Sequence, residues 1–179
     1  MVTGSHIPAD RNGIKFNRAH GEFLKTDEAA MRVQDIVLPE GWFDADGMLT
    51  VDLALPPVTD VLTDYVQRYQ HFFGADALSG LTLGVYQHSA VGRDVLVTIV
   101  EALGGKAVPL ARSDVFVSVD TEAVRPEDIV LAREWAQAGI YDAILTTDGD
   151  SDRPLLADQK GRWIRGDILG ILAAHKLGA

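Results

Sequence analysis

The stretch LTTDGDSDRPLLAD, Leu145–Asp158, runs from apolar and β-branched residues into three aspartates at alternate positions, Asp148, Asp150 and Asp152. In an extended or tightly turned backbone, alternate residues lie roughly 5–7 Å apart between side chains. Each close pair of carboxylates repels by about 3 kcal/mol at an effective dielectric near 20. A hard divalent cation relieves that repulsion, and an all-oxygen donor set without Cys or His points to magnesium or calcium rather than zinc. A solvated acidic turn is the alternative, because Asp and Gly are common turn residues. The triplet alone leaves both readings open.

Working outward, DAILTT (142–147) is an apolar-cored strand, so the acids sit just beyond a strand's carboxyl end. Ligands collect there in open α/β sheets. Upstream, LTLGVY (81–86) alternates as a strand, the loop QHSAVG (87–92) follows, and RDVLVTIVEAL (93–103) reads as a helix closed by Gly104. A short strand is expected near AVPL and an apolar run at VFVSV. RPEDIVLAREWAQAG then reads as a helix, with Pro126 in its first turn, Glu127 and Asp128 at its positive end and Gly139 as its stop. Downstream, PLLADQKGRWIRGD predicts a hairpin turning near Gly161, and DILGILAAHKLGA a helix capped by Asp167.

Before residue 80 the chain reads differently. Residues 1–28 are polar and glycine-punctuated, and Pro39, Gly41, Gly47, Pro56 and Pro57 mark loops around MLTVDLAL, a strand or connector. Val58 to Phe73 repeat apolar residues at helical spacing, which places the aromatics from Tyr65 to Phe73 in a core.

With 179 residues and 47% hydrophobic content, the chain can bury a core. The formal charge of −10 argues against a nucleic-acid or anionic-membrane partner. Zero cysteines exclude disulfides, thiolate metal sites and cysteine nucleophiles, in keeping with a cytoplasmic setting. No leader-like or spanning run is present.

Several other constellations are weighed against this reading. An EF-hand needs glycine and glutamate where Arg153 and Gln159 stand. A phosphatase with a strand-end aspartate nucleophile would want a hydroxyl residue at 152 and later motifs, and it stays as the less favoured alternative. His20, His71, His88 and His175 share no ligand spacing and read as surface or core residues. QHSAVG could approach a phosphate through backbone N–H groups but lacks a nucleotide fingerprint. Arg153 compensates the acids or holds a phosphoryl oxygen. TGSHIPADRNGIKF (3–16) forms a shaped loop carrying Ser5, His6 and Lys15, although Gly-Ser-His near an N-terminus also resembles an expression scar.

Two of these loops together resemble the α-D-phosphohexomutase family. TGSHIPADRNGIKF looks like its phosphoserine loop, T-[AG]-S-H-N-P followed by N-G-[IFYM]-K, with Ile7 where the family usually has Asn. TTDGDSDRPLLAD looks like its magnesium loop, D-G-D-x-D-R. VYQHSAVGRDVLVTIVEALGG and VDTEAVRPEDI are similar to the family's second domain. The resemblance implies an α/β fold: a three-layer αβα domain with a mixed, mostly parallel sheet, preceded by an irregular remnant of another domain. It divides the chain into the end of a first domain with its connector (1–55), a second domain with the metal loop (56–158) and the start of a third (159–179). It implies that Ser5 carries the phosphoryl group and that Ser5, Asp148, Asp150 and Asp152 hold Mg²⁺. His6, Lys15 and Arg153 are the implied catalytic partners, and a hexose phosphate and hexose 1,6-bisphosphate the substrates. The chain is then expected to be a truncated phosphomannomutase or phosphoglucomutase with little activity alone. The competing expectation is a non-catalytic module completed by a partner chain or by self-association.

Overall fold

The computed structural model describes residues 2–3, 11 and 13–178. The described residues divide into two compact units, one built on Ile14–Asp60 and the other on residues 61–178 together with 2–3, 11 and 13. The elements run β1 (Val2–Thr3), β2 (Gly13–Ile14), β3 (Asn17–Arg18), β4 (Gly21–Glu22), α1 (Lys25–Arg32), α2 (Leu62–Phe73), β5 (Thr82–His88), α3 (Arg93–Ala102), β6 (Lys106–Arg112), α4 (Pro126–Ala136), β7 (Ala143–Thr147), β8 (Pro154–Asp158), β9 (Trp163–Ile164) and α5 (Gly166–Leu177).

In the first unit, β3 and β4 form an antiparallel pair ahead of α1. The segment MLTVDLAL forms no regular strand; it contributes one bridge, Phe43 to Leu49. Asp44 Oδ1 accepts the N–H groups of Asp46 and Met48 there, so a side-chain-stabilised turn competes with extension.

The second unit is an α/β fold around a five-stranded sheet of order β6-β5-β7-β8-β9. β5 runs parallel to β6 and β7, while β7–β8 and β8–β9 are antiparallel. The sheet is therefore mixed, with two pairings of each kind. Pro109 fits β6 because β6 lies at the sheet edge, where a missing N–H is tolerated. Gly84 sits at the centre, where an added Cβ would lie 2.8 Å from Leu110 Cδ1 and 3.3 Å from Ile144 Cγ1.

Pleat alternation sends β5 side chains to two faces. On one, α3 covers β5 and β6, α2 packs on α3, and α5 packs on β8. On the other, Tyr86, Ile144 and Ala157 form a core with Val119 and with Ala132 of α4. Burying a residue such as Ile144, which is fully enclosed, contributes about 1.5–3 kcal/mol. The Tyr86 hydroxyl donates to Asp128 Oδ1 at 3.1 Å, and Arg125 grips the same buried carboxylate at 2.8 and 2.9 Å. Burial, then the Asp128 charge, holds the Tyr86 hydroxyl protonated far above the ordinary phenol range.

The structure corrects two expectations, the burial of α2 and the cap of α5. α2 begins at Leu62, and only Val66 is buried on it; Tyr65, Phe72 and Phe73 are 44, 65 and 54% exposed. The helical period identifies a face, but α3 covers only a narrow stripe of it. VFVSV, read only as an apolar run, is irregular and held by Ser89, whose Oγ accepts from Val117 N at 2.8 Å. α5 takes Arg165 as its extended N-cap, whereas Asp167 lies in the first turn, paired with Arg165 at 2.7 Å. Beyond residue 158, β9 pairs with β8 and α5 contacts β8.

Candidate metal site at the carboxyl end of β7

The turn from β7 to β8 is closed at its base by Asp148 N donating to Arg153 O at 3.2 Å. Inside it, Ser151 N donates to Asp148 O, and Arg153 N donates to Asp148 Oδ1, both at 3.2 Å. Ser151 adopts φ +66°, a left-handed conformation that a non-glycine residue enters only with local support. That support comes from the loop between β5 and α3. Gly92 N donates to Ser151 Oγ at 2.9 Å, and Val91 N donates to Gly149 O at 2.9 Å. His88 Nε2 lies 2.9 Å from Thr147 O. An added Cβ on Gly92 would stand 2.8 Å from both Cβ and Oγ of Ser151, so only glycine permits this approach.

The contacts fall on odd-numbered residues: 147, 149 and 151. The even-numbered aspartates converge, with one carboxylate oxygen from each of Asp148, Asp150 and Asp152 lying within 4.8 Å of the others. Asp148 is buried, Asp150 half-buried and Asp152 exposed. Octahedral magnesium, with bonds near 2.1 Å, places opposite ligand oxygens about 4.2 Å apart. Adjacent ligands in that shell lie about 3 Å apart, so the three oxygens must draw inward to share one ion, and hard carboxylate donors suit a hard cation. Arg153 offsets part of the charge, its Nε standing 4.0 Å from Asp148 Oδ2 and 3.8 Å from Asp152 Oδ1. Its Nη1 also reaches Glu122 Oε1 at 3.2 Å. Three carboxylates against one guanidinium leave an excess of negative charge, which is what a dication requires. A cleft of about 420 Å³ opens beside the turn, lined by Thr121, Glu122, Asp152, Arg153, Arg165 and Asp167 among others.

The structure thus gathers Asp148, Asp150, Asp152 and Arg153. Ser5 and His6 lie outside the described residues. Lys15 is exposed in the first unit, where it borders a groove of about 490 Å³ with Phe16, Phe23 and Met31. The loop QHSAVG differs from its phosphate-cradle expectation: the N–H groups of Val91 and Gly92 are engaged by the acidic turn itself. His88 is fully buried, whereas His20, His71 and His175 are exposed. Sequence reasoning missed His88, Gly92 and Ser151 as supports of the turn. The available signal was a small-residue loop following the strand adjacent to β7.

Residues 63–161 match the family described as phosphoglucomutase/phosphomannomutase, alpha/beta/alpha domain II. A phosphomannomutase of Salmonella muenchen is 45% identical over 179 residues, spanning all of this chain and 36% of the relative. A phosphomannomutase of Sinorhizobium fredii is 44% identical over 180 residues, with 100% and 37% covered. A phosphoglucosamine mutase of Anaeromyxobacter dehalogenans is 30% identical over 191 residues, covering 99% of this chain and 40% of that protein. The chain therefore spans well under half the length of these relatives. The crystal structure of a phosphoglucomutase/phosphomannomutase family protein from Burkholderia thailandensis superposes with a TM-score of 0.55. It is 24% identical and covers 66% of this chain and 26% of its own, supporting the fold. Among the described residues, no helix is long and apolar enough to cross a membrane.

Proposed function

The chain belongs to the phosphoglucomutase/phosphomannomutase family through its alpha/beta/alpha domain II, and from that premise we propose that it serves phosphoryl transfer on hexose phosphates. The observation that carries this reading is the convergence of Asp148, Asp150 and Asp152 at the carboxyl end of β7. In this proposal the three aspartates hold Mg²⁺ together with a phosphate oxygen on Ser5. When bound, the ion supplies positive charge that lowers repulsion between dianionic phosphoserine and an incoming phosphosugar.

The protein groups divide the remaining work. Ser5 passes its phosphoryl group to a sugar hydroxyl: the serine O–P bond breaks, the sugar O–P bond forms, and the hydroxyl proton leaves to His6 or Lys15. The serine oxygen then accepts a phosphoryl group back from the other position of the hexose 1,6-bisphosphate. Arg153 donates to a phosphoryl oxygen while its other N–H groups remain near the acids. The net result is reversible movement of phosphate between the 1- and 6-positions. We further propose that the 179-residue chain binds the cation but turns over slowly, because positioning supplied elsewhere in the longer relatives contributes several kcal/mol, on the order of hundredfold or more in rate.

The test is a Mg²⁺ and Mn²⁺ titration of the chain, with a coupled mutase assay on hexose 1-phosphate supplied with trace bisphosphate. Asp148→Asn should weaken cation binding at least about tenfold, and Ser5→Ala should abolish residual transfer while leaving cation affinity within about twofold. Transfer that survives Ser5→Ala but is lost in Asp148→Asn would instead identify an aspartate-nucleophile phosphatase.

A further inference from the structure

We propose that His88, through its Nε2–H donor, is a positioning residue for the acidic turn, a role that rests on the cation-site reading above. His88 is fully buried at the carboxyl end of β5, with its ring 5.1 Å from that of Tyr86. Its Nε2 lies 2.9 Å from the carbonyl oxygen of Thr147, the residue that leads directly into Asp148. A carbonyl only accepts, so Nε2 carries the hydrogen and the imidazole is held in its Nε2–H tautomer. Nδ1 is also buried and finds no hydrogen-bond partner among the described residues. Protonating it would place an unsatisfied donor and a charge in a dry site. Burial accordingly pulls His88 below the ordinary imidazole range, so the neutral donor persists near neutral pH.

The other end of the residue is fixed as well. The His88 carbonyl accepts from Ser113 N at 2.9 Å and from Arg93 Nη1 at 3.2 Å. Its backbone sits at φ +30°, an unusual conformation that these contacts support. His88 thus joins the start of α3 and the end of β6 to the carbonyl before the first aspartate. Of the three contacts that the β5–α3 loop makes with residues 147, 149 and 151, only this one comes from a side chain. Substitution can therefore remove it without altering the loop backbone.

The consequence is preorganisation. With Thr147 O anchored, Asp148 enters the turn at a fixed angle, and the three carboxylates have less ground to cover when a cation draws them inward. Loss of the donor should appear as weaker cation affinity. The experiment compares wild type, His88→Gln and His88→Met by Mn²⁺ titration with paramagnetic resonance and Mg²⁺ titration by calorimetry. Glutamine and methionine have similar volume, but only glutamine places an N–H near the Nε2 position. His88→Met should weaken binding about tenfold and His88→Gln should recover most of the loss. Equal affinities for the two variants, or a methionine variant within twofold of wild type, overturn the proposal.

A wild-type chain that binds no divalent cation would remove the metal site instead. Nitrogen-15 spectra of the wild-type imidazole separate that case and also serve if the variants fail to fold. Protonated Nε2 with bare Nδ1 and slow N–H exchange supports the anchoring contact, whereas an Nδ1–H tautomer refutes it.

Discussion

Replacing Gly92 by alanine isolates the contact between the β5–α3 loop and the acidic turn. Gly92 has φ −87°, a value alanine adopts freely, so the backbone itself resists nothing. The new Cβ, however, would lie 2.8 Å from Ser151 Cβ and Oγ, and one segment must move. Overpacking of that kind costs about 2 kcal/mol, and loss of the Gly92 N to Ser151 Oγ bond adds about 1. The alanine restricts the unfolded chain and returns about 0.7 kcal/mol, leaving a net destabilisation of about 2 kcal/mol. Ser151→Gly removes the colliding atoms; it loses the same hydrogen bond and the one from Thr147 Oγ1 but relieves the left-handed backbone by about 1 kcal/mol, for a net cost of about 1 kcal/mol. In that background Gly92→Ala has nothing to strike and should be neutral or slightly stabilising. The double-mutant cycle should therefore show about 2–3 kcal/mol of coupling. Urea unfolding followed by circular dichroism measures it, and cation titration of the same proteins reports whether the turn has shifted. Additive effects would refute the reasoning, because they would mean that the loop and the turn do not meet at Gly92 and Ser151.

Two further outcomes are expected from the second unit. Tyr86→Phe deletes the hydroxyl that donates to buried Asp128 and should cost about 1.5–3 kcal/mol in urea unfolding; a loss below about 0.5 kcal/mol would show that Arg125 alone satisfies the carboxylate. His88 also makes stability depend on pH. Burial lowers it from the ordinary 6.5, against the opposing pull of the Thr147 carbonyl, so the folded chain refuses a proton that the unfolded chain accepts. Its contribution is full above the unfolded value and is lost as pH falls below about 6.5 toward the depressed folded value. His88→Met should flatten that part of the slope, and parallel slopes for variant and wild type between about pH 7.5 and 5.5 would contradict the assignment.

What the sequence made legible follows from the range over which each signal acts. β7 and its aspartates were readable because period and residue type are local, and α4 because Pro126, Glu127 and Asp128 mark a helix start in the chain itself. The hairpin near Gly161 was equally local, and it appears as β8 paired with β9. The burial of α2 was not readable, since the spacing of Tyr65, Phe72 and Phe73 shows a face without saying how much of it α3 covers. Nor were the supports of the acidic turn. His88 and Thr147, like Gly92 and Ser151, are 59 residues apart, and no spacing rule links a loop to a turn across two neighbouring strands. His88 therefore read as an ordinary core or surface histidine. Only the β5–β7 pairing reveals which backbone its imidazole meets.

The alternation within residues 147–152 makes chain length the least negotiable property of the segment. Inserting or deleting one residue there would exchange inside for outside all along the turn, handing carboxylates to the supporting loop and small residues to the proposed cation site. Such a frame slip should be more damaging than any single side-chain change. Drift in composition at Gly149 or Ser151 is thus easier to accommodate than drift in register.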